Sequence, residues 1–394
     1  MSRRGLDAIV VGAGLVGAAA ALGLARIGLR VAIVEAAQPR AWRDDAPPDL
    51  RVFAISPASS DLLAELGVWP AVVAARAAPY RRMHVWDAAA PDASVTFRSQ
   101  DVGAPHLGHI VEQSLIQTSL WHAILAEPGI ARHCPARVVG IEHTQRGIDV
   151  ELQDGSRLSA TILVGADGSA SPLRERLGIV TRGRDYGAQG VVGFIRTARP
   201  HEDTAWQRFQ PSGPLAVLPF TEARSSIVWT LPDVEAQRVL ALDDTDFSRE
   251  LERAFGSRLG TMTPISPRAG FPLRLKLAER YAADRAVLVG DAAHGVHPLA
   301  GQGVNLGFQD VTELLQLVRI AHAAGQDIGA PSVLSRYARR RKSDTTMAGY
   351  AFDGIERLFG TDAVLPTLLR GPALGLVDKL PPLKRFFVRH ASGR

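Results

Sequence analysis

A glycine-rich turn between an apolar strand and a helix constrains the fold of this chain more than any other sequence feature. Residues 8–11, Ala-Ile-Val-Val, are predicted to form a short buried strand. The sequence Gly-Ala-Gly-Leu-Val-Gly follows at 12–17, then a run of small residues that favours a helix, and then a second strand at 30–34. This order of strand, G-x-G-x-x-G, helix and strand is typical of a dinucleotide-binding unit.

Each of the three positions in this turn requires glycine for a different physical reason. Gly12 permits the tight turn, Gly14 lets the backbone approach a pyrophosphate, and Gly17 lets the helix pack closely on the strand. The free N–H groups at the start of the helix favour phosphate. Glu35 directly follows the second strand, where a carboxylate accepts hydrogen bonds from ribose hydroxyls and repels a 2′-phosphate. We therefore predict an adenosine dinucleotide without a 2′-phosphate.

Two later motifs indicate which dinucleotide is bound. Gly-Ala-Asp-Gly at 165–168 follows a predicted strand at 158–164, and Gly290-Asp291 follows another at 286–289. Asp291 is placed to bind a ribitol or ribose hydroxyl at a strand end. The loop at 301–305 begins a helix predicted to run from 304 to about 324, so its N–H groups would face an anion. Reduced flavin is an anion, so the start of this helix is a suitable place to stabilise it.

Cysteine content and charge limit the other classes of function. Cys134 is the only cysteine in 394 residues, which excludes an intrachain disulfide and a cysteine-cluster metal site and fits a reducing cytosol. We predict no metal site, because His294 and His297 lack further ligands, and we expect neither histidine to be an essential general base. The uncharged stretch 8–25 is not predicted to be an export signal or a membrane span, because Asp7 and the spaced glycines interrupt that pattern. We expect a cytoplasmic protein.

The excess positive charge lies at the end of the chain. The formal net charge is +5, and residues 331–394 alone hold 12 Lys and Arg against 5 Asp and Glu. A basic end of this kind can meet a nucleic acid, an anionic membrane or an acidic partner. The flavin motifs make nucleic acid the least favoured of these partners.

The three motifs, in this order, resemble the aromatic hydroxylase class of flavin monooxygenases. The stretch HPLAGQGVNLGFQD at 297–310 is similar to the ubiquinone-biosynthesis hydroxylases. Within that group, the segments at 104–114, 325–329 and 337–342 are most similar to the 2-polyprenylphenol hydroxylase. The segments at 206–220 and 79–83 resemble instead the sister enzyme that hydroxylates the last open position of the methylated, methoxylated quinol.

The resemblance implies a set of FAD contacts at positions that match the family motifs. Beyond the glycines already named, these are Val16, Glu35, Arg51, Gln113, Val138, Asp167, Asp291, Gly303, Val304 and Asn305. The family commonly has Asn where this chain has Gln113. The amide is retained and one methylene is added.

The expected fold is α/β, with a discontinuous Rossmann-like FAD-binding fold, an inserted, mostly antiparallel substrate sheet and a C-terminal helical segment. The predicted sheet would cover the flavin and form the wall of the substrate pocket. The FAD-binding parts are expected at 1–75, 107–180 and 276–330, the substrate parts at 76–106 and 181–275, and the helical segment at 331–394.

The resemblance also implies the reaction. NAD(P)H binds transiently and reduces FAD, dioxygen supplies one oxygen atom to an electron-rich phenol ring, and water is the second product. The expected substrate is 2-polyprenylphenol, and the alternatives are the methoxylated quinol or a small soluble aromatic of a catabolic pathway. A non-catalytic lipid-binding protein and a prenyl reductase of the same superfamily are the other classes considered.

A polyprenylated substrate requires a membrane or a lipid-binding partner, so a quinone-biosynthesis complex is an expected partner. Oligomeric state is left open. Leucines, phenylalanines and basic residues interleave near the end of the chain and either lie on an anionic membrane surface or pack on the flavin domain. These residues are Leu365, Leu368, Leu369, Arg370, Leu374, Leu376, Lys379, Leu380, Lys384, Arg385, Phe386, Phe387 and Arg389.

Overall fold

The protein is represented by a computed structural model. It describes residues 5–89, 94–145, 147–295 and 303–359, with side chains given as far as Thr345 in the last range, and also Lys384, Arg385, Val388, Ser392 and Gly393.

The strands in chain order are β1 Leu6–Val11, β2 Val31–Val34, β3 Val52–Ile55, β4 Ala77–Tyr80, β5 Arg82–Asp87, β6 Ser94–Arg98, β7 Gly108–Glu112, β8 Ile130–His133, β9 Val138–His143, β10 Ile148–Leu152, β11 Arg157–Gly165, β12 Thr181–Thr197, β13 Thr204–Phe209, β14 Leu215–Pro219, β15 Arg224–Pro232, β16 Met262–Pro264, β17 Ala269–Ala278, β18 Ala282–Ala283, β19 Ala286–Leu288 and β20 His294–Gly295. The helices are α1 Leu15–Arg26, α2 Pro57–Glu65, α3 Trp69–Arg76, α4 Gln113–Ala126, α5 Pro172–Arg176, α6 Asp233–Ala241, α7 Asp244–Phe255, α8 Gly303–Ala323 and α9 Pro331–Phe359.

The first sheet carries the nucleotide-binding unit. Its parallel strands are ordered β8-β2-β1-β11-β19, with β18 antiparallel at one edge and the β9–β10 pair attached to β11. The inner strands are buried on both faces, which is why they consist of continuous apolar runs. Helix α1 packs on α8 across small residues, since a Cβ built on Gly23 would lie 2.3 Å from Leu315. This arrangement confirms the predicted Rossmann-like fold.

The second sheet is mostly antiparallel, ordered β20-β17-β12-β15-β14-β13-β5-β6, with β16 attached to β12. One face packs on α6 and α7 through a core that includes Trp229, Phe247, Leu251 and Phe255. The other face meets a small sheet of β3, β7 and β4. At the edge next to the first sheet, β17 pairs with β20, which directly follows the Gly290–Asp291 motif.

The elements of this second sheet differ from the sequence expectation in two places. The sequence predicts one helix within 181–275, at about 246–255, and the structure has α6 as well as α7. Helix α6 is short and buries only Ala236 and Val239, so its apolar face is narrow. The sequence also predicts a strand at 190–196, whereas strand β12 begins at Thr181. Its polar first half is held by pairing with β17 rather than by apolar alternation.

The chain continues from the first sheet into α8 and α9. Helix α8 confirms the helix predicted from residue 304. Within the ranges that the structure describes, no helix is long and apolar enough to cross a membrane. Of the leucine-rich basic stretch predicted at the end of the chain, Lys384 is buried and Arg385 is exposed, and the rest lies outside the described residues.

Candidate functional site

The glycine-rich turn forms a close backbone contact with the second motif. Gly12 has a φ of +100°, and a Cβ built on it would lie 2.3 Å from the carbonyl oxygen of Ala166. A Cβ on Gly17 would lie 2.0 Å from the carbonyl oxygen of Gly12. Gly14 is different, because no atom of the described residues lies within 4 Å of its built Cβ. The first and third glycines are therefore needed for packing, and the second borders open space.

Glu35 lies at the end of β2 and faces this turn. One carboxylate oxygen, Oε2, accepts a hydrogen bond of 2.5 Å from the backbone N–H of Ala13, and Oε1 accepts one of 3.1 Å from Ala37. The segment before Val138 lies beside it, since the N–H of Ala136 donates to the carbonyl oxygen of Glu35 at 2.8 Å. Val138 itself is half-buried at the start of β9. These contacts place Glu35 and Val138 near the start of α1.

Val16 joins the first motif to the third. A Cβ built on Gly290 would lie 3.1 Å from Val16 Cγ2, and one built on Gly307 of α8 would lie 2.5 Å from the same atom. Val16 therefore fills a space between the Gly290–Asp291 loop and the first turns of α8. The sequence motifs, which are distant in the chain, meet at this side chain.

Asp167 caps a short helix in the second motif. Its carboxylate accepts hydrogen bonds from Ser171 Oγ at 2.5 Å and from the N–H of Leu173 at 2.9 Å. From the same helix, the buried Arg174 donates to the carbonyl oxygen of Ala292 at 3.0 Å. The second motif thereby holds the loop that carries Asp291.

Asp291 is surrounded by protein atoms on most sides and is also exposed to solvent. Burial among protein atoms raises the pKa of Asp291 above its ordinary value, and the charges of His294 and Arg51 only partly oppose this effect. The residue is nevertheless open to solvent. Asp291 therefore has protein atoms on most sides and one face open to solvent, and the space in front of that face is called the cleft.

Arg51 and Gln113 lie side by side at the edge of this cleft. The N–H of Gln113 donates to the carbonyl oxygen of Arg51 at 2.9 Å. The Arg51 guanidinium stacks between Phe53 and Phe271, at 5.6 and 5.8 Å from the ring centroids. The side-chain oxygen of Gln113 is buried and has no hydrogen-bond partner among the described residues. A buried acceptor without a partner is costly, so this amide indicates a donor supplied by a ligand.

The start of α8 is anchored by Asn305. Its Oδ1 accepts from the N–H of Ser56 at 2.9 Å and from Ser59 Oγ at 2.7 Å, and its Nδ2 donates to the carbonyl oxygen of Ala54 at 2.8 Å. The side chain of Asn305 is therefore fully engaged within the protein. Since Val304 is buried, a ligand at this helix start would meet the backbone N–H groups of Gly303, Val304 and Asn305 rather than their side chains.

An apolar layer adjoins the cleft on the side of the second sheet. Phe194, Leu218 and Phe220 of that sheet are buried against Ile110 of the small sheet. Half-buried side chains extend this layer, namely Leu50, Val52, Ala54, Tyr80, Met83 and Val228. Burial raises the pKa of Tyr80 to about 12, so its hydroxyl stays protonated at neutral pH.

The residues present fit a flavin dinucleotide. Gly14 borders free space at a helix start, Gln113 has an unpartnered buried oxygen, and Asp291 lies at the base of the cleft. A family model described as "FAD binding domain" matches residues 5–347. The chain is 34% identical over 393 residues to the 3-demethoxyubiquinol 3-hydroxylase of Escherichia coli, with both chains fully covered.

The chain belongs to the ubiquinone-biosynthesis flavin hydroxylases. This hydroxylase is also 36% identical over 387 residues to the ubiquinone hydroxylase UbiL of Rhodospirillum rubrum, covering 98% of this chain and 89% of the relative. Its fold is similar to that of the p-nitrophenol 4-monooxygenase PnpA from Pseudomonas putida, with a TM-score of 0.77, 17% identity and coverage of 98% and 97%. The predictions of an FAD-dependent aromatic hydroxylase and of its family are confirmed.

Sequence reasoning missed several residues that shape the site of this hydroxylase. Glu112 is buried, accepts from the N–H of Asp49 at 2.8 Å and pairs with Arg76 at 3.4 Å, which fixes the segment that leads to Arg51. Asp310 and Arg341 form a buried ion pair behind the Asp291 loop. Glu112, Asp310 and Arg341 each lie in a family-like stretch, at 104–114, 297–310 and 337–342, but these stretches do not indicate which charges pair. His294 is buried against it, and His297 lies outside the described residues.

Proposed function

We propose that this hydroxylase adds one oxygen atom to the aromatic ring of a polyprenylated precursor of ubiquinone. In the balanced reaction, a ring C–H becomes C–OH, dioxygen gives one atom to the ring and one to water, and NAD(P)H with one proton supplies the two electrons. The observation that carries this proposal is the cleft with its unpartnered Gln113 oxygen and its deep Asp291, next to the apolar core between the second sheet and the small sheet.

The residues proposed to hold FAD are distributed around the cleft. We propose that they are Gly12, Gly14, Val16, Gly17, Glu35, Arg51, Gln113, Val138, Asp167, Asp291, Gly303, Val304 and Asn305. The turn of Gly12–Gly17 would face the pyrophosphate, and Glu35 the ribose hydroxyls. Asp167 and Asn305 would act mainly by shaping backbone, because their side chains are already bonded within the protein.

The protein contributes position, electrostatics and exclusion of water. When bound, FAD supplies the redox chemistry and the activation of dioxygen. The first N–H groups of α8 would stabilise negative charge on the pyrimidine side of the ring, as the macrodipole of a long helix favours. The apolar side chains Phe194, Leu218 and Phe220 would keep water from the reacting ring.

Two substrates are candidates, and each has its own support. Full-length similarity to the 3-demethoxyubiquinol 3-hydroxylase favours the methoxylated quinol, with hydroxylation at its last open ring position. The family-like segments at 104–114, 325–329 and 337–342 favour the 2-polyprenylphenol. We propose the methoxylated quinol first, because the similarity to that enzyme extends over the whole chain rather than over short segments. NAD(P)H is the proposed transient reductant in both cases.

The direct test uses the purified holoenzyme. Reconstituted with FAD and supplied with NAD(P)H, it should convert each prenylated phenol under ¹⁸O₂ into a product heavier by one ¹⁸O atom. Comparison of the two substrates at equal concentration identifies the preferred ring. A labelled product from small soluble phenols only, with both prenylated rings unchanged, would favour a catabolic hydroxylase instead. Protein that takes up no FAD would end the proposal.

A further inference from the structure

Helix α9 presents a stripe of buried polar residues to the strand and loop that carry Asp291. Tyr337, Arg341 and Thr345 follow one another at intervals of four residues, so they share one face of the helix. All three are buried, and each makes a polar contact with the core of the flavin fold. Buried polar residues at three successive turns are unusual in a helix that only covers an apolar core.

Arg341 is the central member of the stripe and pairs with Asp310 of α8. Its Nε donates to Asp310 Oδ1 at 2.7 Å, and its NH2 group lies 3.4 Å from the carbonyl oxygen of Leu306 in the first turn of α8. The second oxygen of Asp310 accepts from the N–H of Gly290 at 2.8 Å and from His294 Nε2 at 2.6 Å. One carboxylate therefore holds both ends of the loop that contains Asp291.

The other two members reach the same loop from either side. The Tyr337 hydroxyl donates to the carbonyl oxygen of Leu288 at 2.8 Å, in the strand that leads directly into Gly290. Thr345 Oγ1 lies 2.7 Å from the Tyr281 hydroxyl, and the Tyr281 ring stacks on His294 with centroids 5.9 Å apart. The stripe thus contacts the strand before the loop and the anchoring Asp310 directly, and it reaches His294 through Tyr281.

The charges in this network are held in place by their partners. Burial by itself raises the pKa of Asp310, but its attraction to His294 and Arg341 outweighs burial and lowers that pKa below the ordinary value. A buried ion pair of this kind adds little net stability compared with apolar side chains of equal size. Its geometry, with three partners on one carboxylate, fixes a loop position that apolar packing leaves adjustable.

We propose that Tyr337, Arg341 and Thr345 are positioning residues that set the place of Asp291 for FAD binding, and that α9 is thereby part of the cofactor site. The inference rests on the proposed contact of Asp291 with FAD. It assigns the first half of the predicted C-terminal helical segment to the flavin site, independently of any membrane contact made farther along the chain.

The test is a double-mutant cycle on FAD affinity. Apoprotein is titrated with FAD for the wild type, Arg341→Met, Asp291→Ala and the double variant, and thermal unfolding of each apoprotein is followed in parallel. Because Arg341 acts through Asp291, we expect Arg341→Met to weaken FAD binding roughly tenfold when Asp291 is present. When Asp291 is already replaced by Ala, the same substitution should weaken FAD binding less than about twofold. Arg340→Met is the matched control, since Arg340 is exposed and pairs with Glu313 rather than with Asp310, so its loss should leave FAD affinity unchanged.

The outcomes separate this inference from the proposed site. If Arg341→Met weakens FAD binding equally in both backgrounds, its effect is merely structural and the inference is overturned, while the Asp291 contact stands. If Asp291→Ala leaves FAD affinity unchanged, the proposed contact fails and the inference fails with it. Should Arg341→Met not fold, Tyr337→Phe replaces it in the same cycle, because it removes one hydroxyl and keeps the buried ring.

Discussion

At the scale of single residues, the glycines of the turn at 12–17 have different roles, since one is needed for packing and another is proposed to contact the cofactor. Gly12 and Gly14 are two residues apart, yet an added Cβ meets the Ala166 carbonyl at one position and open space at the other. Gly12→Ala should therefore destabilise the apoprotein by several kcal/mol, about the size expected for strain and overpacking. Gly14→Ala should cost less than about 1 kcal/mol of stability and still weaken FAD binding at least roughly tenfold.

Thermal unfolding and FAD titration of both variants check this contrast. Equal losses of stability in the two variants would contradict the assignment of Gly14 to the cofactor, as would a Gly14→Ala protein that binds FAD normally.

Glu35 makes a second residue-scale prediction. Glu35→Gln keeps the side-chain volume and removes the charge that faces the proposed ribose. Loss of charged hydrogen bonds should weaken FAD binding by about 1.5–3 kcal/mol, or roughly ten- to 150-fold. The exposed Glu142→Gln, far along the first sheet on β9, is the control. FAD affinity that is equal in the Glu35 and Glu142 variants would remove the ribose role of Glu35.

Residue types and spacing predicted the local geometry of the glycine-rich turn, but they did not predict the polar pairs between residues far apart in the chain. The places of Gly12, Gly17 and Glu35 could be predicted because each of them follows a strand or turn within one local unit. The engagement of Asn305 with Ser56 and Ser59 joins residues far apart in the chain, and so does the pairing of Asp310 with Arg341. A single sequence gives no sign of which buried charges meet, because composition and periodicity record only that they are polar.

At the scale of elements, the small sheet of β3, β7 and β4 carries a buried histidine with a pH consequence. Burial, and then the charge of His106, lower the pKa of His109 from 6.5 to about 4. The unfolded chain therefore binds a proton between pH 6.5 and 4 that the folded chain does not, so stability falls as pH falls through this window. Below pH 4 both states are protonated and this loss is complete.

His109→Gln should reduce the dependence of the free energy of unfolding on pH between pH 6.5 and 4. We expect the wild type to lose on the order of 1–3 kcal/mol more than the variant between pH 6.5 and 4, with parallel profiles above pH 7. Denaturant unfolding at a series of pH values measures this difference. The exposed His143→Gln is the control and should follow the wild type. Identical profiles for wild type and His109→Gln would show that His109 titrates normally.

Strands and helices were predicted correctly where their own sequence has an apolar pattern that matches their burial. The apolar strands β1, β2 and β11 and the helix α8 were all predicted close to their observed bounds. The first half of β12 was not, because Thr181–Asp185 is polar and becomes a strand only by pairing with β17. Register and partner, which decide such segments, are properties of the folded chain rather than of the local sequence.

At the scale of the whole molecule, the flavin motifs of the first sheet and the second sheet are joined at β17. Strand β17 belongs to the second sheet and pairs through Leu277 with His294, three residues after Asp291. The proposed substrate wall and the proposed flavin loop are therefore joined by backbone hydrogen bonds. A ligand that shifts β17 would also shift the loop of Asp291.

The basic end of the chain gives a prediction about membranes. Residues 331–394 carry the excess positive charge, and a prenylated substrate resides in a bilayer. We expect the full chain to sediment with anionic vesicles at low salt and to be released by high salt, with each Lys or Arg near the surface contributing on the order of 1 kcal/mol. A chain truncated after Thr361 should lose this binding and keep its FAD. Equal sedimentation of the two chains, or binding to neutral vesicles, would favour packing of the end on the protein.

The most direct test of the central claim is mass spectrometry of quinone intermediates in a strain that lacks this gene and any redundant hydroxylase. The account predicts little ubiquinone and accumulation of a prenylated precursor that lacks one ring oxygen, with restoration by the wild type and not by Gly14→Ala. The mass of that precursor also identifies which of the two rings is the substrate. Normal ubiquinone with no accumulated precursor would contradict the account.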